Sequence, residues 1–135
     1  MTLKRSYLKK SKKKIAKVSK RPLRLLIIKA DRMLQDWYRD MFPNEKCESC
    51  GAKFELMHHF IEKSRSSLLR YNSINLVFLC HKCHALHHRF GDTTVMARVI
   101  LKRGQEWFTE IERLKRISIQ LLRGFIEDQI KKYEI

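Results

Sequence analysis

Two stretches decide the reading of this chain, 47-CESCGAKFELMHHF-60 and 75-NLVFLCHKCHALHHRFG-91. Each carries one Cys-x-x-Cys pair, Cys47–Cys50 and Cys80–Cys83, and together they hold every cysteine and every histidine of the 135 residues. A Cys-x-x-Cys turn presents two thiolates side by side, and two such turns complete a tetrahedron around Zn2+. Gly51, directly after the first pair, suits a knuckle turn that needs a positive φ. Glu48, Ser49, His81 and Lys82 are poor neighbours for cysteines that merely fill a core, and no thioredoxin-like pattern surrounds either pair. Four thiolates leave no open coordination position, so the expected ion is structural Zn2+ on Cys47, Cys50, Cys80 and Cys83.

The six histidines are His58, His59, His81, His84, His87 and His88. His58 and His59 end an apolar stretch, Lys53–Phe60, that reads as a strand, where adjacent side chains point to opposite faces. One of the two is then free to bind a metal while the other does acid–base work. His84 and His88 are four apart in His81–Phe90, which reads as a helix stopped by Gly91, so both face one side. His87, three from His84, is a rival ligand. His81 sits between zinc ligands and is expected to be exposed or to lie outside the coordination shell.

Outward from this block, Leu76–Leu79 reads as a second short strand and residues 61–75 as a polar, basic loop. Leu23, Leu26, Ile27, Ala30, Met33, Leu34, Trp37 and Met41 recur at helical steps after Pro22 and before Pro43, which predicts a helix with one apolar stripe. Asp92 or Thr93 caps a further helix that ends at Gly104. From Gln105 the apolar pattern predicts one long helical stretch with Gly124 as its weak point. Its wide apolar face is expected to pack on the N-terminal helix, with a homodimer seam as the alternative. The organisation is thus a basic flexible arm (1–21), an N-terminal helix (22–43), a cysteine- and histidine-rich core (44–91) and C-terminal helices (92–135).

Charge points to the partner. The chain has 30 Lys and Arg against 14 Asp and Glu, a formal +16, and residues 1–30 hold twelve of those cations and no acid. A block this basic, with few bulky apolar residues, reads as a nucleic-acid arm and not as a membrane-surface helix. No apolar run reaches membrane-span length and none follows the charged N-terminus as a secretory signal would require. No membrane partner and a cytoplasmic setting, bacterial or phage-infected, are therefore expected.

Cys47–Cys50, His58-His59, Asn75-Leu76-Val77, Cys80–Cys83-His84 and His88, in that order, resemble the HNH endonuclease family with a four-cysteine zinc knuckle. The resemblance implies an α+β fold: a ββα-metal finger in which a hairpin and a helix grip one divalent cation, here flanked by N- and C-terminal helices. It implies His59 as the general base and Asn75 as the residue that orients it. It implies His58, His84 and His88 as ligands of a catalytic divalent cation (Mg2+, Mn2+, Zn2+ or Ni2+). His58 stands where the family often has aspartate, and an all-histidine set favours the softer ions over Mg2+. More loosely, His59-Phe60, Leu69-Arg70-Tyr71, Asn75 and Arg103-Gly104-Gln105-Glu106-Trp107 resemble the phage NinG-like recombination branch, which implies branched DNA as substrate.

The implied chemistry is metal-dependent hydrolysis of DNA phosphodiesters, duplex or branched. A histidine with an ordinary pKa near 6.5 takes a proton at neutral pH. Lys63, Arg65 and Arg70 in the loop are candidates for holding flanking phosphates. The alternative is a non-catalytic zinc-knuckle nucleic-acid-binding protein, which would have no need of His59 with Asn75. An RNA-directed protein would want exposed aromatic platforms, and most aromatics fall on helical apolar faces, leaving Phe54, Phe60 and Tyr71 as the few candidates.

Overall fold

The computed structural model describes residues 21–134, so the basic arm lies almost wholly outside the described residues. The fold is α+β. Helix α1 (Leu23–Met41) leads to strand β1 (Leu56–His59). A 3₁₀ turn (Ser73–Asn75) feeds β2 (Leu76–Leu79), and α2 (His81–Phe90), α3 (Thr93–Arg103), α4 (Gln105–Lys115) and α5 (Arg123–Tyr133) follow. The strands are antiparallel, with Leu56 opposite Leu79, Met57 opposite Phe78, His58 opposite Val77 and His59 opposite Leu76.

Period-2 alternation divides the hairpin between two cores. Met57 and Leu76 pack with Leu26, Ala30 and Leu34 of α1 and with Ile126, Ile130 and Tyr133 of α5. Val77 and Leu79 pack with Cys47, Cys80 and Cys83 and with Val95 and Val99 of α3. A third cluster, Ile61, Leu69 and Ile111, seats α4 on the loop between the strands.

Local chemistry sets the element ends. The Asp92 side chain accepts the Thr94 N–H at 2.9 Å and so caps α3. Gly91 takes the left-handed conformation (φ 62°) that ends α2. No helix of the described residues is long and apolar enough to cross a membrane.

Two expectations need correction. The strand expected over Lys53–Phe60 is only Leu56–His59, because the preceding backbone pairs elsewhere: Lys53 bridges Lys46, and the Phe54 N–H donates to the Glu45 carbonyl. The long C-terminal helix is two helices. The chain leaves the helix after Lys115 and re-enters it at Arg123, so Gly124 lies in the first turn of α5 and is not the break. In between, Ser67 donates its hydroxyl to the Ile119 carbonyl. The break lets Ile111 stay under the loop while Ile126 and Ile130 return to α1.

Candidate active site and metal centres

The two Cys-x-x-Cys turns meet beside the hairpin. The Cys47 carbonyl accepts the Gly51 N–H at 2.9 Å, and Gly51 takes the positive φ (78°) that closes this turn. In the second pair the Cys80 sulfur accepts the Cys83 N–H as the N-cap of α2. All four thiol sulfurs lie within 4.8 Å of one another, and none is in a disulfide. Cys50 Sγ and Cys80 Sγ are 3.6 Å apart, close to the ~3.8 Å that two ligands at about 2.3 Å from a tetrahedral zinc would show. Burial pushes the Cys47 thiol up, but the N–H groups of Cys50, Cys80 and Ser49 outweigh it and leave the thiol at about 7. Burial instead pushes Cys80 up and Cys83 up to about 12, so those thiols would ionise only as a cation binds. The donor set fits zinc.

Glu48, inside the first turn, ties this centre to the rest of the fold. Its carboxylate accepts both the Phe78 N–H (2.8 Å) and a bidentate Arg103 (2.7 and 2.8 Å). Arg103 also donates to the carbonyls of Leu76 and Ile74, at 2.7 and 3.3 Å, and the Trp107 indole N–H reaches the same Ile74 carbonyl at 2.8 Å. Those two carbonyls flank Asn75.

Asn75 is fully buried and every polar atom of its amide is used. Its Oδ1 accepts the Ile61 N–H at 2.7 Å, and its Nδ2 donates to the Ile61 and Leu69 carbonyls at 3.0 and 3.2 Å. Its backbone carbonyl accepts the Phe60 N–H at 2.9 Å. The side chain therefore does not touch the His59 ring. It fixes the backbone that follows His59 and the backbone just before Arg70.

Alternation in β1 sends the two neighbouring histidines to opposite faces, as the pairing of His58 with Val77 and of His59 with Leu76 requires. The His58 ring lies 5.4, 5.0 and 5.1 Å from the rings of His84, His87 and His88. Candidate ligand nitrogens of His58, His84 and His88 fall within 4.8 Å of one another, a set that leaves out His87. His58 is 4% exposed, and its Nε2 is buried with no hydrogen-bond partner. An orphaned buried nitrogen costs about 1–3 kcal/mol, and a cation at this point would satisfy it. Burial, then the nearby His87, His84 and His88, push His58 down to about 3, so it is neutral and ready to ligate at neutral pH. Three imidazole donors fit a divalent ion and leave coordination positions open.

On the other face, His59 Nε2 is 2.7 Å from the Arg70 carbonyl. A carbonyl only accepts, so Nε2 carries the proton and Nδ1 keeps its lone pair. Burial lowers the pKa of this ring, opposed by the Arg70 carbonyl. The space before it is a cleft of about 510 Å3 that includes His58, His59, Lys63, Arg70, His84 and His88 among its walls.

The candidate phosphate-holding residues differ among themselves. Lys63 and Arg70 line the cleft, but both are engaged by Asp31 of α1, at 3.3 Å and 2.7 Å. Arg65 does not line it and lies exposed beside Glu62. His81 is exposed and meets Glu55 at 3.5 Å. No local motif marks Asp31 or Gln35, although Asp31 is the first acid after the basic block and Gln35 follows it at one helical turn.

An antiparallel hairpin followed directly by a helix, with four clustered thiols and three clustered histidines that could each hold a metal ion, has the elements of a ββα-metal finger. Residues 47–90 match the family model for HNH endonuclease. The match takes in both cysteine pairs, the hairpin and α2, and leaves α1 and α3–α5 outside. No curated protein and no solved structure matches the chain. The narrower NinG-like resemblance stands on sequence alone.

Proposed function

We propose that this protein is a metal-dependent endonuclease that hydrolyses DNA phosphodiester bonds in the cleft at His59. The observation that carries the reading is the buried, unpartnered His58 Nε2 facing His84 and His88, one residue from a histidine whose Nδ1 is kept free by the Arg70 carbonyl. The match to HNH endonuclease supports nuclease activity at the level of the family.

A divalent cation on His58, His84 and His88 would supply charge relief to the scissile phosphate and its departing oxygen. The chain supplies the rest. His59 Nδ1 takes the proton of the attacking water as its oxygen bonds to phosphorus. The bond from phosphorus to the 3′ oxygen breaks, and that oxygen takes a proton from solvent. The Arg70 carbonyl keeps His59 in the productive tautomer, and Asn75 holds the backbone on either side. Lys63, 44% exposed at the cleft edge, is placed to exchange Asp31 for a substrate phosphate. The basic residues 1–20 supply further cations for the phosphate backbone. Branched recombination intermediates are the finer substrate reading, since the chain lacks an evident Arg, Asn and Gln recognition helix and shape is then the remaining source of selectivity.

The test is nicking of supercoiled plasmid, linear duplex and four-way junction by the full chain with Mg2+, Mn2+, Zn2+, Co2+ or Ni2+. His59→Ala is expected to bind DNA as the parent does and to cleave roughly 10²–10⁴-fold more slowly, the usual span for a lost general base. Equal cleavage by the two proteins refutes the role of His59. DNA binding without cleavage under any ion leaves the zinc-knuckle binding protein in its place. A linear duplex that competes as well as the junction removes the branched-DNA reading.

A further inference from the structure

Two side chains of α1, outside the matched segment, reach the surroundings of His58 and His59, Gln35 through the backbone of Met57 and Asp31 through the side chains of Arg70 and Lys63. Gln35 spends both ends of its amide on Met57: Nε2 donates to the Met57 carbonyl at 2.7 Å, and Oε1 accepts the Met57 N–H at 2.9 Å. In a two-stranded sheet alternate residues turn their backbone groups away from the partner strand. Gln35 acts as a short third strand for β1 immediately before His58. One helical turn earlier, Asp31 receives the Arg70 guanidinium at two points, 2.7 and 3.3 Å, and Lys63 at 3.3 Å. Both members of the Asp31–Arg70 pair are largely buried, at 18% and 15% exposed. The residue whose side chain Asp31 clamps is the one whose carbonyl holds His59 Nε2.

We propose that Asp31, with Gln35 beside it, is a positioning residue for catalysis, so that α1 is part of the nuclease device and not a flanking element. Asp31 immobilises Arg70, the Arg70 carbonyl fixes the tautomer and tilt of the His59 ring, and Gln35 fixes the strand that carries it. Both carboxylate oxygens of Asp31 are taken by Arg70 and Lys63, and Asp31 is not among the residues that line the cleft. Its negative charge holds Lys63 and Arg70, two cations of the cleft wall, away from a phosphate, so a role in binding does not account for it. This inference rests on the role of His59 in the proposed function.

A purely electrostatic role and a positioning role move kinetic constants differently. Asp31→Ala removes the anion that holds Lys63 of the cleft wall, so KM for plasmid is expected to stay or fall. With the ring no longer held, kcat is expected to fall roughly 10- to 100-fold, the scale of a 1 Å misplacement. Asp31→Asn keeps an acceptor for Arg70 and is expected to recover most of the rate. The Asp31→Ala/Arg70→Ala pair is expected to be strongly non-additive, because both act through one carbonyl. Zinc content and melting temperature of each variant separate these effects from misfolding. A readout independent of cleavage is the long-range nitrogen–proton spectrum of the His59 ring at one fixed pH. The parent is expected to show the Nε2–H tautomer alone, and Asp31→Ala a mixture. Wild-type kcat in Asp31→Ala, beside an inactive His59→Ala, overturns the inference and leaves the function standing. An active His59→Ala overturns the role of His59 as base, and the ring spectrum then judges Asp31 by itself: an unchanged tautomer refutes the clamp.

Discussion

Replacing Arg103 with methionine tests whether the knuckle and the hairpin are one unit. The Glu48 carboxylate is 10% exposed and the Arg103 guanidinium 18%. Removing the cation leaves a nearly buried carboxylate with only the Phe78 N–H, and deprives the Leu76 and Ile74 carbonyls of a donor. Breaking a buried pair from one side costs about 3–5 kcal/mol. For a chain of this length that is a drop of roughly 10–20 °C in melting temperature. The Glu48→Gln/Arg103→Met protein keeps an acceptor for Phe78 and buries no charge, so it is expected to recover about 2 kcal/mol of the loss. Urea unfolding of zinc-loaded protein, followed by circular dichroism, measures Arg103→Met, Glu48→Gln and the double variant. Chelator-driven zinc release should be faster in Arg103→Met, since Glu48 lies between Cys47 and Cys50. A loss below about 1 kcal/mol in Arg103→Met, or a double variant as unstable as the two singles added, would refute this account.

Three further outcomes are expected. Cys80→Ser removes a thiol that also caps α2, so bound zinc should fall by one per chain and the 47–90 block should unfold; unchanged metal content by atomic absorption would contradict the assignment. Deleting residues 1–20 should flatten the salt dependence of duplex binding by about 0.9 in log–log slope for each phosphate no longer neutralised, and an unchanged slope would show that these residues leave DNA alone. With the histidine centre free of metal, stability should decline as pH drops from His58's ordinary 6.5 towards its folded value of about 3, because only the unfolded chain takes up the proton; thermal melts should show this decline and His58→Gln should reduce it.

Much of the metal chemistry was legible because it is written locally. Cys-x-x-Cys turns, adjacent histidines on a strand and histidines four apart on a helix carry their geometry in their spacing, and α2 ends at Gly91 for the reason its sequence suggests. What escaped depends on partners far along the chain. Lys53 and Phe54 have strand-like side chains, yet their backbone closes the first knuckle against residues 45 and 46. The apolar period runs through residues 116–122 unbroken, and only the competing demands of Ile111 and Ile126 on different cores interrupt the helix. Asp31 and Gln35 look like ordinary polar-face residues of α1, and their meaning comes from Arg70 and Met57, which no local pattern links to them.

Because β1 turns His58 and His59 to opposite faces, the proposed ion site and the proposed base rest on different partners, His84 and His88 for the one and the Arg70 carbonyl for the other. Exchanging the side chain at 58 would retune which cation is held, without touching the carbonyl that orients 59. Altering the Asp31 clamp would retune the base and leave the cation's ligands alone. In the proposed function the ion site and the base would share a backbone and one cleft while resting on different partners, so substitution at 58 and substitution at 31 would be expected to act on different steps.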